Sequence, residues 1–228
     1  MITVKKDAIM YKDSDGKMQS AGVICNIGTL GKDWFKYAYS ISNIFFQISF
    51  PEGSELNLCL DNITNMSQAF YRATGITKII LTASESEDPI NMGSAFYGTD
   101  SSILETIDLS GFKKKPHSVS HGFRGCKQLK YILGELDFSA ITASTYIGSV
   151  FLNCSSLEEV RFKKESLFVG ISISSSPKLS DVSIQSIIDG LADITGQETQ
   201  NLQLHKDTKV KLTEEQIATI TSKNWTLA

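Results

Sequence analysis

The chain has 228 residues, which is enough to bury a core without the help of disulfide bonds. Hydrophobic residues make up 41% and charged residues 21%, a balance that is typical of folded proteins and excludes disordered or collagen-like classes. Because 22 Lys and Arg oppose 25 Asp and Glu, the net charge is -3 and a nucleic-acid partner is not expected.

The first residues, MITVKKD, are not followed by the apolar run of a secretory signal, so export by the general route is not expected. The longest apolar-rich stretch covers residues 41–50 and is interrupted by polar side chains. It is far shorter than the ~20 residues that a membrane-spanning helix needs. We therefore expect no membrane insertion.

Residues 1–55 are predicted to form a β-rich cap that does not share the repeat described below. Residues 9–19 are predicted to form a hairpin, with Asp15 and Gly16 in its turn. Asp13 and Asp15 resemble the start of a calcium loop, but the later acidic ligands are missing and a turn is favoured. Two more strands are predicted at residues 44–50 and 56–60, the second of which starts the repeat region.

A pattern that ends in phenylalanine recurs four times between residues 66 and 151. Successive phenylalanines are 26, 27 and 28 residues apart. In the last two copies a cysteine and a leucine follow at offsets three and six, and the first and last copies continue into alternating apolar residues. This alternation predicts a short, half-buried strand in each copy. The copies are MSQAF (66–70), MGSAF (92–96), VSHGF (119–123) and IGSVF (147–151).

The strand of the third copy has two possible registers. Residues 129–132 fit the offsets of the other copies, whereas residues 136–141 match residues 107–112 more closely. The second register keeps the distance from the strand to the next phenylalanine at 15 residues, close to the 16 of the preceding copy. We therefore favour the second register.

One copy cannot bury its apolar side alone, and a period of roughly 20–29 residues predicts a solenoid whose copies stack into a parallel sheet. The motifs at residues 123–129 and 151–157, together with Ile107-Asp-Leu-Ser and Leu136-Asp-Phe-Ser, resemble BspA-like bacterial leucine-rich repeats, including their mycoplasma-lipoprotein-like branch. The resemblance covers residues 56–175. It implies an α/β solenoid, right-handed and non-enzymatic, that displays a parallel sheet for binding proteins or surface glycans.

Residues 176–228 are predicted to form a strand-helix cap. Apolar residues recur at helical spacing from Asp181 to Leu191, although Leu179, Val182 and Ile184 also fit another repeat strand; we favour the helix, preceded by a strand at residues 171–173. A last strand at residues 201–204 is followed by a capping box that begins at Thr213 and a closing helix. That closing helix is predicted to contain Ile217, Ile220 and Trp225.

The segments SIIDGLADITG and LTEEQIATITSKNWTLA in this cap are similar to the carboxyl ends of tail-associated proteins from phages and prophages of gut bacteria. The resemblance implies a virion location, which needs no signal peptide because virions leave the cell by lysis.

The sequence offers little catalytic chemistry. His117, His121 and Cys126 are close together in sequence, but their loop context argues against a metal site, and no metal or cofactor is expected. Cys126 and Cys154 occupy the inward offset of the repeat and are predicted to be buried, reduced thiols. The run at residues 113–115 (KKK) is predicted to be a solvated loop. We expect no enzyme.

Function is therefore expected on the outward face of the sheet. The predicted role is a non-catalytic binding or structural module of a phage or prophage tail that recognises a host-surface protein or glycan and contacts other virion proteins. The alternative is a cell-surface or secreted adhesin. The outward positions between the buried strand residues form a mixed, rather acidic ladder, and they are Lys78, Ile80, Thr106, Asp108, Glu135, Asp137, Glu159 and Arg161.

Overall fold

The computed structural model describes the backbone of residues 3–5, 8–12 and 18–20, and residues 38–84, 86–98 and 102–228. Strands β1 (Thr3–Lys5), β2 (Ala8–Lys12) and β3 (Met18–Ser20) form an antiparallel sheet in that order. The pairing of β2 with β3 confirms the predicted hairpin. Its turn, with Asp13, Asp15 and Gly16, lies outside the described residues.

Parallel pairing dominates the middle of the chain. The strands β4, β5, β7 and β9 form a parallel sheet in that order, and β6 pairs with β8 in a second parallel sheet. Their bounds are β4 (Ser49–Cys59), β5 (Thr74–Ala83), β6 (Ile90–Asn91), β7 (Thr106–Phe112), β8 (Pro116–Ser118) and β9 (Tyr131–Leu133). Alternate residues of the larger sheet, such as Leu58, Leu81 and Ile107, are fully buried. The period-two apolar pattern therefore faces one shared core.

Tight turns precede the strands of the larger sheet and are joined to one another by backbone hydrogen bonds. In each turn the amide of a phenylalanine donates to a carbonyl of the next turn along the chain, at 2.8–3.0 Å. The residue two places before each phenylalanine has a positive φ between 53° and 59°. The five turns therefore share the same left-handed residue at the same position. The donors are Phe45, Phe70, Phe96 and Phe123, and the acceptors are Ala69, Ala95, Gly122 and Val150.

The phenylalanine rings of these turns form a buried stack. Phe45, Phe70, Phe96, Phe123 and Phe151 follow one another with 5.1 to 5.6 Å between ring centroids. All five are at most 3% exposed. Pairs of this kind contribute ~0.5–1.5 kcal/mol beyond the burial of their area. The repeat thus fixes both the backbone ladder and the centre of the core.

The repeat begins one copy earlier than the sequence analysis placed it. Residues 44–50 were expected to be a strand, but residues 42–47 form a turn and the strand β4 starts at Ser49. Ile41, Ile44 and Phe45 occupy the places that Met66, Ala69 and Phe70 hold in the next turn. The expectation that residues 1–55 do not share the repeat is therefore wrong, because a run of apolar residues hid the turn spacing.

The favoured register of the third copy is also wrong. Ile107 pairs with Ile132, so the strand beside β7 is Tyr131–Leu133 and not residues 136–138. The similarity that suggested the other register has a local cause. Asp108 and Asp137 each accept a hydrogen bond from the backbone amide of the serine two residues later. The shared Asp-x-Ser motif therefore marks a local turn rather than an equivalent strand.

A short 3-10 helix (Ser144–Tyr146) precedes the last phenylalanine turn, and the carboxyl-terminal part adds a third parallel sheet and helices. The sheet contains β10 (Ile171–Ile173), β11 (Gln200–Leu204) and β12 (Trp225–Leu227), and the helices are α1 (Asp181–Gly190), α2 (Lys206–Lys209) and α3 (Glu214–Ser222). The structure confirms the favoured helix at α1, capped by Ser180, and the capping box of Thr213 and Gln216 on α3. Trp225 lies on β12 and not on the closing helix as expected.

Helix α1 closes the strand segment that follows the last phenylalanine turn. The hydroxyl of Ser183 accepts a hydrogen bond from the Val160 amide, and the hydroxyl of Ser186 accepts one from the Phe162 amide, both at 3.0 Å. The Ser183 hydroxyl also donates to the carbonyl of Glu158. Two side chains of a helix thus occupy the hydrogen-bonding places of a neighbouring strand. In the ranges given above, none of the helices combines the length and hydrophobicity needed to cross a membrane.

Candidate binding face

Five of the eight residues predicted for the binding face lie in two rows that cross the sheet. The first row contains Lys78, Thr106 and Glu159, and the second contains Ile80 and Asp108. The rows also include residues that the sequence analysis did not select. In full, the first row is Glu55, Lys78, Thr106, Tyr131 and Glu159, and the second is Asn57, Ile80, Asp108 and Leu133.

Glu135 and Asp137 do not occupy the rows to which the wrong register assigned them. Tyr131 and Leu133 take those places. Tyr131 is 37% exposed, and its hydroxyl donates to the Glu158 carboxylate at 3.3 Å. The face therefore contains an aromatic side chain that the sequence analysis missed. The signal was present, because residues 129–132 keep the offsets of the other copies.

Asp137 is held by internal contacts. Its carboxylate accepts hydrogen bonds from the amide and hydroxyl of Ser139 and forms an ion pair with Lys163 at 2.8 Å. Burial acts to raise the pKa of Asp137, but the bonds from Lys163 and Ser139 outweigh it and the pKa lies below its usual value. Asp137 thus stabilises the connection between two neighbouring segments.

A groove of about 410 Å³ opens where the sheet face meets helix α1. It contains two of the predicted residues, Glu135 and Arg161. The guanidinium of Arg161 also lies 2.8 Å from the Glu159 carboxylate, so the groove continues into the first row of the face. Val182 adds an apolar surface that is 58% exposed. The lining residues are Glu135, Arg161, Phe162, Lys164, Val182, Gln185, Ser186 and Asp189.

The composition of this groove suits a polar ligand of intermediate size. Pockets that bind small molecules commonly measure ~300–1,000 Å³ and combine apolar walls with a few polar groups. Here two cations, Arg161 and Lys164, line the same groove as two carboxylates, Glu135 and Asp189. The groove therefore offers both donors and acceptors beside an apolar wall.

The two repeat cysteines are buried, as predicted. The thiol of Cys126 donates to the Phe96 carbonyl, and that of Cys154 donates to the Phe123 carbonyl. Burial raises the pKa of Cys126 to about 12 and that of Cys154 well above its usual value. Both thiols thus stay protonated near neutral pH and act in packing.

The histidines do not gather around Cys126. His117 is exposed on β8, whereas His121 lies in a phenylalanine turn with a φ of 56°. In the described part of the chain, no group of three or more His, Cys, Asp and Glu side chains is placed to hold a metal ion.

The run at residues 113–115 was expected to be a solvated loop, but one of its lysines is buried. Lys114 is only 2% exposed, and its ammonium donates to the Ser86 hydroxyl at 2.8 Å. Burial lowers the pKa of Lys114, while the charges of Asp88 and Asp61 act to raise it. Lys114 thus belongs to the packed interior, between loops that flank the sheet.

Comparison with protein-family models, with curated proteins and with solved structures gives no match for this chain.

Proposed function

We propose that this chain is a non-catalytic binding module built as a right-handed leucine-rich-repeat solenoid. The regular ladder from Phe45 to Phe151 supports this architecture, because each turn has a left-handed residue two places before its phenylalanine and successive turns are joined by backbone hydrogen bonds. The spacing of the phenylalanine rings also supports a stack of repeats. In such a fold the repeated apolar side chains are buried in the core, so a ligand would be recognised by the exposed residues.

The groove between the sheet face and α1 is the observation that favours binding most. It brings Arg161 and Glu135 together with the exposed Val182 at the end of a continuous sheet surface. A host-surface protein or glycan would find charges of both signs and an apolar wall there. The protonated state of Cys126 and Cys154 supports a non-catalytic role for these thiols, since the thiolate is the nucleophilic form.

The biological setting we propose is a phage or prophage tail, where the chain would contact other virion proteins. This rests on the similarity of the cap at residues 176–228 to tail-associated proteins. Mass spectrometry of purified virions tests it, and detection at a fixed copy number per particle is the expected result. Absence from virions, with the chain recovered instead from the cell surface or the medium, would favour the alternative of a BspA-like adhesin.

The binding role can be tested with the fluorescently labelled full chain and intact bacterial cells. Glu135→Ala/Arg161→Ala should reduce the amount bound at saturation or raise the concentration needed to reach it. Glu198→Ala/Lys206→Ala makes the same change of charge at two exposed positions outside the groove and should bind as the wild type does. Equal binding by all three proteins would contradict the assignment of the groove.

A further inference from the structure

A second surface lies on the solvent side of the phenylalanine turns. The residue after each repeat phenylalanine points away from the core and forms its own ladder: Phe46 stacks on Tyr71 at 4.9 Å, and Tyr71 stacks on Tyr97 at 4.7 Å. The guanidinium of Arg124, one turn further on, lies 5.7 Å from the centre of the Tyr97 ring. We call the outer surface of residues 41–48, 66–73, 92–98, 119–126 and 147–154 the turn face.

The turn face differs in charge from the rest of the chain. None of its five segments contains Asp or Glu, although the chain has 25 acidic residues and a net charge of -3. Its charged residues are Arg72 and Arg124, with His121 between them in sequence, and most of its other outward residues are Ser, Asn, Gln and Gly. The turn face is thus a positive, donor-rich strip on a protein of opposite net charge.

The two arginines are placed for planar recognition of anions. The guanidinium carbon of Arg72 lies 5.4 Å from the centre of the Tyr71 ring, and that of Arg124 lies 5.7 Å from the centre of the Tyr97 ring. A planar guanidinium presents N–H donors along its edge that can bind a carboxylate or phosphate through two hydrogen bonds. Aromatic ring edges also carry the positive end of the ring quadrupole. Both features select negatively charged oxygen atoms.

The stacking of the rings indicates which of two anionic polymers, a nucleic acid or a polysaccharide, fits the turn face better. Single-stranded nucleic acids bind by stacking bases on open aromatic faces. Both faces of the Tyr71 ring are covered, one by Phe46 and the other by Tyr97. At Tyr71 the strip therefore offers a ring edge, a hydroxyl and the neighbouring guanidinium of Arg72, rather than an open ring face, to a chain that lies along it. This arrangement favours an anionic polysaccharide over a nucleic acid.

We propose that the turn face binds an anionic polysaccharide that runs along the ladder, with carboxylate or phosphate groups at Arg72 and Arg124. These arginines stand two turns apart, which is about 10 Å at the usual separation of parallel chains in a sheet. The proposal rests on the proposed recognition of surface glycans and assigns it a ligand class, but it uses a surface separate from the groove.

Calorimetry with the full chain tests the proposal, with polygalacturonate as the carboxylate probe, purified teichoic acid as the phosphate probe and dextran as the neutral probe. At physiological ionic strength only close charges act strongly. The wild type should bind one or both anionic probes and not dextran. Arg72→Gln/Arg124→Gln should weaken that binding about tenfold or more. The matched control, Lys178→Gln/Lys206→Gln, removes two exposed cations outside both the groove and the turn face and should leave that binding unchanged.

Several outcomes would overturn the proposal. These are no binding of either anionic probe, unchanged affinity in Arg72→Gln/Arg124→Gln, or equal affinity for oligothymidylate or polyglutamate at matched charge. If the double variant has a lower melting temperature, Arg72→Gln alone supplies the test, because Arg72 is exposed. Failure of the groove proposal is separable, since it would leave cell binding unchanged in Glu135→Ala/Arg161→Ala whatever the calorimetry shows.

Discussion

The rings of Phe96 and Phe123 lie parallel, with 5.4 Å between their centroids and 2° between their planes. Phe96 also stacks on Phe70 at 5.6 Å, so it has a ring neighbour on each side. Phe96 is therefore the middle member of the buried stack, and its removal should affect the turns before and after it.

Replacement of the Phe96 ring measures how much the stack contributes to the free energy of unfolding. Phe96→Ala should lower the free energy of unfolding by about 3–5 kcal/mol, because a cavity opens between two packed rings. Urea unfolding followed by circular dichroism gives the value. Phe168→Ala is the matched control: Phe168 is 42% exposed and its loss should cost far less. Similar losses for both variants would contradict a stacked core.

The hydrogen bonds by which two serines of α1 close the strand segment can be tested by substitution. Ser183→Ala/Ser186→Ala leaves the amides of Val160 and Phe162 without their acceptors, and each unsatisfied buried group costs ~1–3 kcal/mol. The same unfolding measurement should show this loss. Ser155→Ala, at an exposed position, should change stability little. A double variant as stable as the wild type would show that α1 does not complete the ladder.

The buried thiol of Cys126 predicts a dependence of stability on alkaline pH. Its pKa is raised to about 12, whereas an unfolded thiol ionises near ~8.5. The folded state thus holds the proton more tightly, so this contribution is fully present below about pH 8.5 and is lost as the pH rises toward 12, by ~1.4 kcal/mol per pH unit. Unfolding free energies measured between about pH 8 and 10 should fall more steeply for the wild type than for Cys126→Ala. Parallel pH profiles would contradict the burial of this thiol.

Asp137 should act on stability and not on binding. Asp137→Ala removes the Ser139 bonds and the Lys163 ion pair and should cost about 1–2 kcal/mol. Because the pKa of Asp137 is lowered on folding, its contribution is present above the unfolded value of about 3.9 and is lost as the pH falls through the folded value. The cost should therefore shrink in acid. Asp108→Ala breaks only the equivalent hydrogen bond from the Ser110 amide, so it should lower the free energy of unfolding by less. An equal loss in the two variants would show that the ion pair with Lys163 does not contribute.

The repeat could be predicted because its cause is local and periodic. Each copy contains a phenylalanine, with a small residue before it and a cysteine or leucine after it, at nearly constant spacing. These residues are apolar because the structure buries them. The capping box at Thr213 could be predicted for the same reason, since a helix cap depends on residues within one turn of the chain.

The errors arose where two patterns compete or where contacts are long-range. The Asp-x-Ser turns at Asp108 and Asp137 look alike in sequence but occupy different places beside the sheet. Burial of Lys114 depends on Ser86, 28 residues away. The outer ladder was missed because Phe46 and Tyr71 are 25 residues apart and meet only when the turns stack.

Native-state hydrogen exchange tests the stacked turns most directly. The amides of Phe45, Phe70, Phe96 and Phe123 each donate to the next turn and should exchange only through global unfolding. Their opening free energies should equal the unfolding free energy from urea titration. Fast, independent exchange at Phe70 and Phe96 would show that the turns are not joined, and would contradict the stack on which both proposed binding surfaces depend.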